Sequence, residues 1–290
     1  MENPLGRQTD ALKKVFIAYR VYPSFSKYAD KTFFNTKYEM FRTALSTFVK
    51  SLEGTDYFIH FIMDSCPSDY LSYIETILPP ARFKIESHEN AGNRLTFLMQ
   101  IDTLLKQNHS QYIYFAEDDY IYSPSSMIKM INAMEKIHVD FVSPYDHPDL
   151  YSNTNCTEGF KYNHNYKTRV FYIEGFHFRT TSSTTLTFLT TVETLKRTQK
   201  TFKLFKRYQL FGRIFPQDYE MWLSLTHMKH KSLSFAHTGA MYFSLFPQFF
   251  RKKYTLITPI PGFAFHLNTP CIERYGSKIV SDLITTTSRN

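Results

Sequence analysis

Strand-like apolar runs alternate with helical stretches over residues 1–145, and this alternation limits the fold more than any other feature of the chain. Val15-Phe16-Ile17-Ala18 is a continuous apolar run, as in a strand covered on both faces. Phe33 to Leu52 carries helical spacing, and Tyr57 to Met63 is a second strand ending at Asp64. Asp69 to Ile77 reads as a helix stopped by Pro79-Pro80, and Phe83 to Glu86 as a third strand. In the next helical stretch Asn93 is the expected N-cap, and Leu95, Leu98, Ile101, Leu104 and Leu105 share a face. Tyr112 to Ala116 is a fourth strand, Ser125 to Ile137 a helix, and Asp140 to Ser143 a strand. The pattern predicts an α/β chain with a mostly parallel sheet and helices on both faces. Ligands of such sheets bind beyond the C-terminal strand ends. Ala18-Tyr19-Arg20, Asp64 and Glu117-Asp118-Asp119 all fall at that edge, the expected rim of an active site.

The second half is less regular. Val170 to Arg179 reads as a strand and Thr185 to Leu195 as a helix. Asp218 to Met228 reads as a helix, either N-capped by Asp218 or entered at Pro216. No linker, internal repeat or low-complexity tract is evident, so a single domain over 1–290 is expected.

Glu117-Asp118-Asp119 sets three carboxylates at one strand end. Oxygen ligands of this kind suit a hard divalent cation, Mg²⁺ or Mn²⁺, which also takes substrate phosphates. In an extended chain residues i and i+2 share a face. Glu117 and Asp119 would then point together, with Asp118 turned towards a ribose or base. The other reading has Asp118 capping the coming turn and its neighbours in solvent.

The stretch YIYFAEDDYIYSPSSMIKMINAM resembles the nucleotide-sugar site of GT-A fold glycosyltransferases: a hydrophobic strand, a DxD-type acidic motif and a proline-led helix. The EDD form is similar to that of the N-acetylglucosaminyltransferase I group and departs from the usual DxD, which leaves the roles of Glu117 and Asp118 open. The resemblance implies a Rossmann-like GT-A domain, with residues 1–145 binding the donor and 146–290 the acceptor. It implies that Asp119 binds the Mn²⁺ or Mg²⁺ that bridges the donor diphosphate, with Glu117 and Asp118 on the nucleotide side. Glu89-Asn90-Ala91-Gly92-Asn93-Arg94 resembles the nucleotide-holding segment of family-2-like enzymes, where Asn90, Arg94 and the helix start would favour phosphate. VFIAYRVYPS resembles the first strand, whose end touches uracil, implicating Ala18, Arg20 and, at the same edge, Asp64.

GFHFRTTSSTTLTF resembles the acceptor-side strand and turn, with Ser183 and Thr184 near a sugar. Pro216-Gln217-Asp218-Tyr219-Glu220-Met221-Trp222 resembles the ED-type motif at a helix start, where a carboxylate is the general base of inverting enzymes. Asp218 is the better positional match and Glu220 the alternative. Trp222 and Tyr219 suit either a sugar face or the core. PIPGFAFHLNTP places His266 where many such enzymes have a late histidine that completes the metal shell or meets the diphosphate. The implied partners are a nucleotide sugar, UDP-linked, and a glycan acceptor. A sugar nucleotidyltransferase usually carries a Gly- and Arg-rich loop after the first strand; here that place reads YRVYPSFSKY, without glycine. A non-catalytic glycan-binding protein on the same fold is a third class, against which Asp119 and Asp218 argue.

A net charge of +8 favours anionic partners, yet no RNA- or DNA-binding motif stands out, and nucleic acid is not expected. Three cysteines without metal-type spacing read as buried thiols of a reducing compartment. The polar N-terminus and the lack of a long apolar run suggest a cytoplasmic protein, bacterial or in a virus-infected host. The glycosylation patterns at Asn108 and Asn155 are therefore read as chance. Lys196 to Arg213 holds seven basic residues with Phe202, Phe205, Tyr208 and Phe211 interleaved. It reads as a helix with a core-facing apolar side, or as a peripheral membrane contact, a segment closing on the donor phosphates or a platform for the acceptor. FSLFPQFFRKK, residues 243–253, poses the same question.

Overall fold

The structure, a computed structural model, describes residues 12–25, 33–148, 151, 168–210, 213–227, 252–267 and 281–282. Cys156, Cys271, the Asn155 pattern, Phe211 and residues 243–251 lie outside the described residues. The first half runs β1 (Lys13–Val21), α1 (Lys37–Ser51), β2 (Thr55–Asp64), α2 (Ser68–Ile77), β3 (Phe83–His88), α3 (Gly92–Lys106) and β4 (Tyr112–Glu117). It continues with β5 (Tyr120–Tyr122), α4 (Ser126–Ile137) and β6 (Phe141–Val142). The second half runs β7 (Val170–Ile173), β8 (Phe176–Thr180), β9 (Phe188–Thr191), α5 (Val192–Phe202), β10 (Tyr208–Leu210) and β11 (Arg213–Phe215). It ends with α6 (Asp218–Thr226), β12 (Leu256–Ile260) and β13 (Ala264–His266).

One nine-stranded sheet has the order β3-β2-β1-β4-β9-β6-β12-β8-β7 and so takes strands from both halves. The β3-β2-β1-β4 block is parallel, as the alternation of strands and helices predicts. Beyond it β9 runs antiparallel to both β4 and β6, β12 is parallel to β6, and β8 and β7 reverse again. The sheet is therefore mixed, with parallel pairing dominant only in the β3-β2-β1-β4 block.

Strand alternation sorts the side chains into two cores. Val15, Ile17, Tyr19, Ile59, Phe61 and Tyr114 pack beneath α1, α2 and α4 with Phe41, Ile74 and Met130. Phe16, Ala18, Ile62, Ile113 and Phe115 face α3, α5 and α6 with Phe97, Leu195, Phe202 and Trp222. Helices thus cover both faces of the sheet. Among the described residues no helix is long and apolar enough to cross a membrane.

Several local expectations change. Helix α3 starts at Gly92, and Asn93 lies inside it, because the Asp64 carboxylate accepts from the Ala91 and Gly92 amides at 2.9 and 2.7 Å and serves as the cap from another strand. Its buried face is Phe97, Gln100, Ile101 and Leu104, while Leu95 is exposed. Val170 to Arg179 is a hairpin turning at Glu174-Gly175, where Gly175 holds a left-handed φ of +87°. Thr185 to Leu195 contains β9 before α5 begins at Val192, consistent with the strand preference of a Phe- and Thr-rich run. Helix α6 is capped at Gln217, not Asp218: the Gln217 amide donates to Glu220 at 2.8 Å.

The basic stretch is helical only as far as Phe202. Phe202 and Phe205 are buried against Phe97, and Phe202 also meets Trp222, while Lys196, Arg197 and Lys200 stay exposed. The apolar side of the helical part is thus used by the core, while Tyr208 stays 42 % exposed. Cys66, expected to be a buried thiol, is only half-buried, and that burial pushes its pKa up to about 12.

Candidate active site

The C-terminal ends of β1, β2 and β4 open onto a cavity of about 490 Å³. Its charged walls are Arg20, Lys37, Asp64, Glu117, Asp118 and Asp119, so four carboxylates face two fixed cations. That surplus of negative charge favours a bound cation.

The parity of the strands decides where each acid points. Arg20 and Glu117 are register partners and lie on the α3 face. Arg20 donates to Glu117 at 2.5 Å and to the Asn93 side chain and backbone at 2.9 Å, while Thr187 donates to the other Glu117 oxygen at 3.0 Å. Asp118 points to the opposite face and is 7 % exposed. It accepts from Lys37 at 2.9 Å and from the Tyr22 amide at 2.9 Å. Burial works against the Lys37 ammonium, but Asp118 and Asp119 outweigh it and raise the pKa, so Lys37 stays charged. Both Glu117 and Asp118 are thus held by protein partners. They shape the cavity wall and hold the strand end.

Asp119 is placed differently. The chain turns after Glu117, so strand alternation no longer sets where Asp119 points. Strands β5 and β13 pair antiparallel, with Tyr120 opposite His266. This brings His266 Nε2 to 3.2 Å from Asp119 across 147 residues of sequence. Burial raises the Asp119 pKa, yet His266, Lys37 and Arg20 together pull it down to about 2. Burial lowers the His266 pKa, and Asp119 more than reverses this. An oxygen and an imidazole nitrogen beside the cavity fit Mn²⁺ or Mg²⁺ only if substrate oxygens complete the shell. Among the described residues no group of three or more His, Cys, Asp or Glu converges on a metal position.

Asp218 opens α6 and is partly exposed; its Oδ1 accepts from the Tyr219 amide at 2.9 Å. Burial pushes its pKa up to about 6; Glu117 and Glu220 add to the rise, while the Tyr219 amide and Lys206 oppose it. Lys206 feels Asp218, Arg20 and Glu117, so the four groups lie within electrostatic reach of one another. Glu220 is 2 % exposed and engaged in the helix cap, which makes Asp218 the more available carboxylate.

Of the remaining expected site residues, Asn90 lines this cavity, whereas Ala18, Arg94, Ser183, Thr184 and Trp222 do not. Ala18 is fully buried three residues before β1 ends, and its carbonyl accepts from Gln100 at 2.7 Å. Val21 and Tyr22 line the cavity there instead. Arg94 donates to the Phe205 carbonyl at 3.0 Å and does not line the cavity. At the α3 N-terminus Asp64 already takes the Ala91 and Gly92 amides, so these two do not face a phosphate. Asn90 does line the cavity, in a left-handed conformation with φ of 53°. Thr184 is buried and bonded to Ser143 at 2.6 Å, and Ser183 is half-buried with its carbonyl held by Thr181. Trp222 is fully buried among Phe141, Phe188 and Phe202, with its indole N–H on the Thr185 carbonyl; it is core, not a sugar platform.

No protein-family model matches the chain, and no curated protein matches it. Among solved structures, "Crystal structure of S. aureus TarS 1-349" aligns with a TM-score of 0.35 and 11 % identity. The alignment covers 64 % of this chain and 49 % of that one, so the chain spans about half of that protein's length.

Lys37 and Thr187 were not singled out from sequence. For Lys37 a signal exists: it opens α1 beside the helix N-terminus, where the macrodipole disfavours a cation and a local carboxylate must compensate. Thr187 carries no comparable signal. Removing Lys37 leaves Asp118 charged and buried. Lys37→Met is therefore expected to cost about 3–5 kcal/mol in urea denaturation at neutral pH. Adding Asp118→Asn should recover most of that loss. A loss below about 1 kcal/mol would show that the pair is not structural.

Proposed function

We propose that the chain is an inverting, metal-dependent glycosyltransferase of GT-A type, moving a sugar from a nucleotide sugar, UDP-linked, to a hydroxyl of a glycan. The observation that carries this reading is the contact of His266 with Asp119, which lines the cavity, with Asp218 outside the lining but in electrostatic reach of the same acidic motif. Asp119 and His266 would hold Mn²⁺ or Mg²⁺ through one oxygen and one nitrogen. Bound there, the ion would offset the charge that develops on the diphosphate leaving group.

The protein's own groups divide the remaining work. Arg20, Thr187 and Lys37 hold Glu117 and Asp118 so that Asp119 keeps its place. Tyr22, Asn90 and Gly92 line the cavity, where they would meet the nucleotide. Asp218 takes the proton of the acceptor hydroxyl as that oxygen bonds to the anomeric carbon and the bond to the diphosphate oxygen breaks. A base with a pKa of about 6 is ionised at neutral pH yet still accepts a proton. Since the base must be ionised, kcat/KM should fall as pH drops through about 6, with a single-proton limb assigned to Asp218. A flat profile down to pH 5 would remove Asp218 from that role.

A panel of nucleotide sugars incubated with the chain and Mn²⁺ tests the function without knowledge of the acceptor. Slow, metal-dependent hydrolysis of one UDP-sugar is expected. No hydrolysis of any donor, together with no nucleotide binding, would overturn the reading.

A further inference from the structure

Tyr120 follows the acidic motif directly and has no part in the chemistry above. Its ring lies flat on His266, with centroids 4.6 Å apart and planes 8° apart. Tyr145 meets both rings edge-on, at 5.8 Å from Tyr120 and 6.0 Å from His266. The Tyr120 hydroxyl donates to Thr185 at 2.8 Å, and the ring is fully buried. The Leu267 amide donates to the Asp119 carbonyl at 2.7 Å, so the backbone on either side is fixed as well.

An imidazole on a short strand keeps two free side-chain torsions. Strand pairing sets where His266 starts, but not where Nε2 points. The flat Tyr120 face and the Tyr145 edge hold the ring in the plane that directs Nε2 to Asp119. The hydroxyl bond to Thr185 stops the Tyr120 ring from sliding.

We propose that Tyr120 is a positioning residue that presets the His266 imidazole for a divalent cation shared with Asp119. The inference rests on the reading of Asp119 and His266 as cation ligands. Partners that orient a metal-binding histidine typically change metal affinity tenfold or more when removed.

The test is a double-mutant cycle on the full chain, with Mn²⁺ in the presence of saturating UDP as probe, so that diphosphate oxygens complete the shell, and water-proton relaxation as readout. Tyr120→Leu should weaken Mn²⁺ binding about tenfold in the His266 background and less than about twofold in the His266→Ala background. Tyr120→Phe keeps the flat face and should bind within about twofold of the unmodified chain. Where Tyr120→Leu does not fold, Tyr120→Met fills similar space without a planar face and takes its place in the cycle. Equal losses in both backgrounds, or no loss in either, overturn the proposal while leaving the cation reading intact. Mn²⁺ binding indifferent to His266→Ala overturns the cation reading, and the proposal with it.

Discussion

Asp119→Ala should reduce metal-dependent donor turnover by about a thousandfold while leaving the fold in place. The size follows from the role: a bound divalent cation contributes several kcal/mol to the developing charge on the leaving group, and each 1.36 kcal/mol is tenfold in rate, so about 4 kcal/mol is at stake. The specificity follows from the structure. Glu117 is tied to Arg20 and Thr187, and Asp118 to Lys37 and the Tyr22 amide, whereas Asp119 meets His266 beside the cavity. Removing Asp119 should therefore abolish Mn²⁺-dependent donor binding with little change in urea midpoint. Glu117→Gln and Asp118→Asn should instead show up mainly as lost stability. Turnover of Asp119→Ala within tenfold of the unmodified chain would move the metal elsewhere.

Asp218→Asn should lower kcat by about a hundredfold to ten-thousandfold with donor affinity unchanged, as expected when a general base is removed without loss of shape. Asparagine keeps the oxygen that accepts the Tyr219 amide, so the start of α6 should persist. Glu220→Gln provides the contrast. Glu220 accepts from the Gln217 amide as part of the helix cap, so its loss should cost about 1 kcal/mol of stability and little rate. Full activity in Asp218→Asn would remove it as the base, and a large rate loss confined to Glu220→Gln would assign the role there.

The first half was legible because its signals are local. Apolar runs set β1, β2 and β4, and a parallel block puts their ends, with Arg20, Asp64 and the acidic motif, on one rim. Asp119 and His266 were both expected as ligands through a family resemblance, and the β5–β13 pairing brings them together. What stayed hidden depends on long-range partners. Asn93 looks like an N-cap, but Asp64 from another strand already caps α3. Trp222 in an acceptor-type motif is drawn into the core by Phe141, Phe188 and Phe202. Ala18 misses the rim because β1 runs three residues past the apolar stretch that reveals it. Strand β9 was hidden inside a window that passes directly into α5, and nothing in its own sequence says that it inserts between β4 and β6.

Titration of UDP into the chain with and without Mn²⁺, followed by calorimetry, addresses the central claim most directly. The account predicts binding that needs the metal and disappears in Asp119→Ala. Failure of both UDP and GDP to bind in the presence of Mn²⁺, or UDP binding that is indifferent to metal and to Asp119→Ala, would contradict it.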